Sequence, residues 1–282
     1  PTDAHRWVQR GLISLALLVV LLWMAMLLPT STWYRNRMPD TVRVAAGSVG
    51  GNYDKLAKTI CQILRDKTET QAIPITSAGS NDNVDKLERG EVDFALVQAD
   101  AVSSSHVAVV APLYYEAVHI LVKADSSIQS VADLSNHRVI LGSEKSGSWS
   151  VSRLLLNRAG LTLQDLTIDN TDWRSLAETP EVDAAIVVTK PGTDDIIHIL
   201  SQGHYRVLSL SDSLEFALDE PAFHPLLLTS VNYPDCGMPE AGIATVATTA
   251  FLAAQFETPA ILVQTVLQNL FDPQVVQSAG IL

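Results

Sequence analysis

Charge and cysteine are both scarce in this chain. Charged residues make up 18% of its 282 residues, and acids outnumber bases by 31 to 19. The resulting net charge of −12 argues against a nucleic-acid partner, because phosphates are held by clustered Lys and Arg. It argues equally against docking of the soluble part on anionic lipid. The two cysteines, Cys61 and Cys236, have no metal-type spacing to each other or to any His. Sequence leaves open whether they pair in an oxidising compartment. The seven His are scattered, without H-x-x-H or H-E-x-x-H spacing. A G-x-S-x-G elbow is missing: the nearest string, Gly147-Ser148-Trp149-Ser150-Val151, has Val where the second Gly belongs. No nucleophile stands beside a base, no cofactor motif is complete, and there are no internal repeats. The chain therefore reads as a binding protein and not an enzyme.

Long apolar runs are also few, with one exception. Residues 12–28, LISLALLVVLLWMAMLL, contain no charge, Gly or Pro. As a helix this run spans roughly 25 Å, close to a hydrocarbon core. A cleaved signal peptide and a retained anchor compete for it. The run exceeds the usual h-region of about 7–15 residues and no A-x-A-like site follows closely. Pro29, Trp33 and Tyr34 follow instead, and aromatics suit a membrane interface. Length and flank favour a retained single-pass anchor. Arg6 and Arg10 before the run are balanced by Arg35 and Arg37 after it, so charge leaves the orientation open.

One local device occurs three times. Residues 43–61 (RVAAGSVGGNYDKLAKTIC), 73–88 (IPITSAGSNDNVDKLE) and 138–156 (RVILGSEKSGSWSVSRLLL) each run from a strand through a Gly/Ser turn into a helix. Such turns place backbone N–H groups and a helix N-terminus at the carboxyl end of a strand, where anions and small polar ligands bind. One is weak evidence, since every such unit needs a turn. Three Ser-rich examples point to one cleft built from several loops.

Strands and helices alternate through the rest, as in an open α/β sheet. Strands are expected at 42–47, 72–77, 93–98, 117–123, 137–142, 166–169, 183–188 and 205–210. Helices are expected at 52–67, 81–89, 131–134, 148–159, 173–178, 193–202, 212–218 and 258–270, the last ended by Asp272-Pro273. Residues 221–242, with four prolines, read as an irregular connection. Two long extended runs, 113–125 and 242–254, have the character of crossings between lobes. They divide the chain into a tail and anchor (1–30), a linker (31–40), a first lobe from 41–116 plus 249–282, and a second lobe from 117–248.

GSVGGNYDKLAKTI, TSAGSNDNVDKLERGEVDFALVQAD, EAVHILVKADSSIQSVADLSNHRVILGSEKSGSWSVSRLLLNRAGL and the late TVATTAFLAAQ resemble the TAXI family of solute-binding proteins associated with TRAP transporters. The resemblance runs from Thr41 to about Pro273. It implies the two-lobed type II fold of periplasmic binding proteins, with discontinuous lobes, a glutamate-like or other small carboxylate ligand, and a TRAP-type membrane permease as partner. Val49, where the family more often has a hydroxyl residue, and Trp149, where Thr is usual, depart from the pattern.

Candidate site residues follow from the turns. Ser48, Gly51, Asn52 and Tyr53 are set in the first, where the glycines allow close backbone approach and Tyr53 stacks on a ligand or packs on the core. Ser77, Gly79 and Ser80 form the second, with Ser80 or Asn81 read as ligand contact or plain helix cap. Gln98 ends the third strand, its amide suited to an amino acid or amide ligand; Asp100 reads as a partner for a ligand ammonium group, or as a helix cap or solvent-facing acid. Ser146, Gly147 and Ser148 hold anions at the third turn, which misses the phosphate-loop pattern because Ser148-Trp149 replaces Lys-Ser/Thr. Trp149 closes over the ligand or packs between lobes, and Lys145 is a solvated loop charge. No basic side chain is evident in the cleft: Lys123 and Arg153 are not clearly aimed inward. A membrane-tethered sensor or scaffold, transporting nothing, is the competing reading.

Overall fold

The computed structural model describes residues 2–28, 38–102, 106–279 and 281. Its centre is a ten-stranded sheet of order β2-β1-β3-β10-β4-β7-β5-β6, with β8 beside β4 and β9 beside β10. The chain order is α1 (Thr2–Leu28), β1 (Thr41–Ala45), α2 (Asn52–Lys67), β2 (Gln71–Ile75), α3 (Ser80–Glu88), β3 (Phe94–Gln98), β4 (Val107–Lys123), β5 (Arg138–Ile140), α4 (Gly147–Arg158), β6 (Thr167–Asp169), β7 (Ala184–Thr189), α5 (Asp194–Ser201), β8 (Tyr205–Val207), α6 (Ser213–Asp219), β9 (Phe223–Leu228), β10 (Ile243–Gln255), α7 (Ala260–Leu270) and α8 (Pro273–Ala279).

Two parallel sets, β2-β1-β3 and β7-β5-β6, flank a central antiparallel pair, β10 and β4. Those two strands are long enough to serve both sets. Leu113 and Tyr114 of β4 enter one core with Leu252 of β10, while Val118, Ile120 and Val122 enter another with Val246. Helix α2 closes the first core because its apolar residues Leu56, Ile60, Cys61 and Leu64 recur at helical spacing and are buried. Full burial of each large aliphatic stabilises by about 1.5–3 kcal/mol.

Prolines explain two departures from the sequence expectation. Residues 223–228 lie in the stretch expected to be irregular, yet they form β9 with Pro225 inside it. Among the described residues β9 pairs only with β10, and an edge strand tolerates a missing donor. Likewise β4 begins at Val107, ten residues before the expected strand, and carries Pro112 next to a register shift. The segments expected as helices at 131–134 and 173–178 are 3-10 turns, and Pro273 opens α8 besides ending α7. Cys61 and Cys236 are both free thiols.

Among the described residues no helix is long and apolar enough to cross a membrane. The side chains described in α1, Trp7 and residues 12–25, are all exposed. The membrane span expected over 12–28 is thus unsupported, and Pro29, Trp33, Tyr34, Arg35 and Arg37 lie outside the described residues.

Candidate functional site

The carboxyl ends of β1, β2, β3, β5 and β7 meet around a cavity of about 140 Å³. Ten of the eleven residues expected to bind ligand line it: Ser48, Gly51, Asn52, Tyr53, Gly79, Ser80, Gln98, Ser146, Gly147 and Ser148. The eleventh, Ser77, does not. Its hydroxyl donates to Ala46 O at 3.1 Å and accepts from Gly79 N, which fixes the turn instead.

Helices α2, α3 and α4 begin on the cavity beside the first turn of α5, and their first-turn N–H groups lack intrahelical acceptors. Helices α2 and α3 start after Gly51 and Gly79, which provide no side-chain cap; α4 is capped by Ser146, whose Oγ accepts from Trp149 N at 3.1 Å. Ser80 is therefore not a cap. Its Oγ accepts from Gln98 N at 3.1 Å, tying the start of α3 to the end of β3. Asn83, fully buried one turn on, donates to both Ala46 O and Leu96 O and pins the same junction. In the first turn Gly50 adopts φ +81° and its N–H donates to buried Asp54 at 2.8 Å.

Glycine matters at two further positions because the opposite wall is so near. A Cβ on Gly147 would lie 1.7 Å from Gln98 Oε1, and one on Gly79 would lie 3.0 Å from Ser146 Cα. Polar contacts span the same gap. Asn52 donates to Thr189 Oγ1 at 3.2 Å, Asn81 to Ser150 Oγ at 2.7 Å, and Ser143 Oγ to Ala78 O at 3.1 Å. Lys145, exposed as expected, is nonetheless paired with Asp85 at 3.1 Å. These contacts join the two sides of the cavity.

Its floor includes residues absent from the sequence expectation: Glu116, Trp173, Arg174, Thr189 and Asp195. Glu116, 4% exposed, accepts on one oxygen from Tyr53 OH at 2.8 Å and from Gln98 Nε2 at 3.1 Å. Burial pushes its carboxyl up to about 7; the two hydrogen bonds oppose this and nearby Asp100 adds to it. Burial likewise holds the Tyr53 phenol well above its ordinary value, so it stays a donor. Asp100 is neither cap nor solvent-facing. It sits within the one-turn 3-10 helix Ala99–Ala101, raised to about 6, chiefly by burial. Arg174 supplies the basic group not evident in the sequence. It binds Asp172 through Nε and Nη2 and donates from Nη1 to Val49 O at 2.8 Å, bridging the two sides. Trp149 packs on the second core and leaves the cavity to Trp173. The sequence signal for Glu116 was a lone acid in the apolar run 113–123; Arg174, in a polar turn, carried none.

Among the described residues no group of three or more His, Cys, Asp or Glu could hold a metal. The arrangement can bind an acceptor-rich group on its helix starts and a donor-rich group at Glu116.

Solved structures share this architecture. The alkanesulfonate-binding protein SsuA of Xanthomonas axonopodis pv. citri, solved with MOPS, is 16% identical over 87% of this chain and 81% of its own, at a TM-score of 0.51. A Xanthomonas citri protein solved with ATP is 12% identical over 85% and 87%, at 0.55. The regulatory domain of MetR, a LysR family regulator of N. meningitidis, is 11% identical over 85% and 93%, at 0.52. At such identities the likeness concerns the fold alone, a mixed α/β fold like that of periplasmic binding proteins. Sequence comparison is more specific: the family model matches residues 44–277, most of the chain, and the protein belongs to the NMT1-like family.

Proposed function

We propose that this protein is a solute-binding protein that closes two lobes on a small anionic ligand, of the amino-acid or organic-acid class, and presents it to a membrane permease. One observation carries the reading: three helix starts, two of them without a capping side chain, converge on a cavity walled from both sides of the sheet. At about 140 Å³ the cavity is small beside drug-sized pockets of roughly 300–1,000 Å³, which favours a compact ligand. In this proposal the lobes are 41–116 plus 249–282 and 117–248, hinged where β4 and β10 pass between them, and the partner reads the closed form. A TRAP-type permease is favoured by the turn motifs resembling TAXI proteins. A tether through residues 12–28 belongs to the proposal on sequence grounds alone.

A second reading is a ligand sensor that signals occupancy without transport. It is favoured by the likeness to a regulatory domain, covered over 93% of its length. Both readings need a ligand, so one experiment precedes either. Calorimetric titration and thermal unfolding with amino acids, dicarboxylates, keto acids, short aliphatic acids and alkyl sulfonates should yield one class that binds and stabilises. At 100 times its dissociation constant a ligand adds about 2.7 kcal/mol. A well-folded protein that binds nothing in this panel would overturn the proposal.

A further inference from the structure

The cavity has two walls, the helix starts and the floor around Glu116. Glu116 stands on β4 at the boundary between the two proposed lobes, and its surroundings come from both. From the first lobe, Tyr53 of α2 and Gln98 of β3 donate to its carboxyl, and Asp100 and Tyr114 lie close by. From the second, Ser146, Gly147 and Ser148 at the start of α4 line the same cavity, as do Arg174 and Asp195. Gly147 presses on Gln98, one of the two donors. The neighbouring cations are engaged elsewhere: Arg174 binds Asp172 and Val49 O, and Lys190 lies 5.5 Å over the Tyr114 ring. Among the described residues Glu116 has no ion-pair partner, and both its donors are neutral. Asp100, itself buried and near Glu220, adds like charge when it ionises. The floor is thus a dry acid, 4% exposed, roofed by the start of α4. Parting the lobes would lift that roof and bring water to it, and a carboxyl in water ionises freely.

We infer that closure of the two lobes takes up a proton at Glu116, so that acid favours the closed form and base opens it. This rests on the two-lobe reading and adds a control to it, one that acts without any ligand. The sign follows from the roof. With α4 in place burial raises the Glu116 carboxyl from 4.5 to about 7, and exposure to water returns it toward 4.5. The preference for closure is full below pH 4.5 and is lost as pH rises through 7. Between pH 8.5 and pH 5.5 the closed-to-open ratio should rise by up to about 30-fold.

Pulsed electron resonance between spin labels on Lys55→Cys and Asn170→Cys, in the full chain without ligand, reads the gap between lobes. Both positions are exposed, one on each lobe; Cys61 is buried, and Cys236→Ser removes the other native thiol. The labels should be closer at pH 5.5 than at pH 8.5, and Glu116→Gln should hold the closer distance at both. Gly147→Leu, which cannot pack on Gln98, supplies the open reference. A distance that ignores pH while Gly147→Leu lengthens it would overturn the inference and leave the hinged lobes intact. An equal pH response in Glu116→Gln would assign the proton to another group and overturn it as well. If neither pH nor Gly147→Leu moves the labels, the lobes are not hinged and both readings fall together.

Discussion

The two walls of the cavity differ in how they are made. The wall of helix starts is local: each piece is a strand, a few small residues and a helix, contiguous in sequence. The floor is assembled from Glu116 in the middle of a 17-residue strand, Arg174 in a 3-10 turn and Asp195 at the start of α5. The first wall needs backbone geometry; the second needs three distant elements to meet. In the proposed function a turn motif thus announces where a ligand would bind, while the groups that would choose it arise from packing.

The sharpest way to break this division is to keep both walls and prevent them from meeting. Gly147→Leu retains α4 but drives a side chain into Gln98, whose oxygen lies 1.7 Å from the would-be Cβ. Overpacking of this kind costs about 1–3 kcal/mol even where the surroundings relax, and here relaxation means opening the cleft. Ligand affinity should drop by roughly 100-fold or more. Small-angle scattering should show that ligand no longer compacts the protein. Unchanged affinity would mean that the closed contact is not the binding state.

A second test isolates the floor. Glu116 has its carboxyl raised from 4.5 to about 7 by burial, so its ionisation opposes folding. The sign follows: the stability associated with its protonated form is fully present below pH 4.5 and is lost as pH rises through 7. The loss amounts to about 3 kcal/mol. Glu116→Gln removes the titration. Without ligand, the variant should unfold at higher denaturant than wild type at pH 8, and the gap should close toward pH 5. A gap independent of pH would mean that Glu116 is not the buried acid the floor requires.

Legibility in the sequence follows the same line. The alternation of strands and helices, the three turns and the two long runs that became β4 and β10 were all visible, because period and turn chemistry are local properties. β9 was hidden by Pro225, since proline argues against a strand unless the strand lies at an edge, and edges are decided by the rest of the sheet. Arg174 was hidden because its partner Val49 lies 125 residues away. Trp149 was legible as an aromatic at a helix start but not as a core residue, because its direction depends on how α4 packs.

The smallest expected effect falls on the residue where the two walls join. Ser80 contributes its backbone to the start of α3 and its hydroxyl to the floor, accepting from Gln98 N. Ser80→Ala leaves the backbone wall intact and strands a buried N–H, which costs about 1–3 kcal/mol unless water replaces the hydroxyl. Thermal unfolding should therefore fall by a few degrees, and titration should show affinity lowered by about three- to tenfold through a loosened Gln98. The ratio of the two effects carries the information. If stability drops and affinity holds, the helix starts bind the ligand alone and the floor is scaffold. If affinity drops more than stability, Gln98 and Glu116 act as one recognition unit, and the ligand is chosen by the part of the site that no local motif reveals.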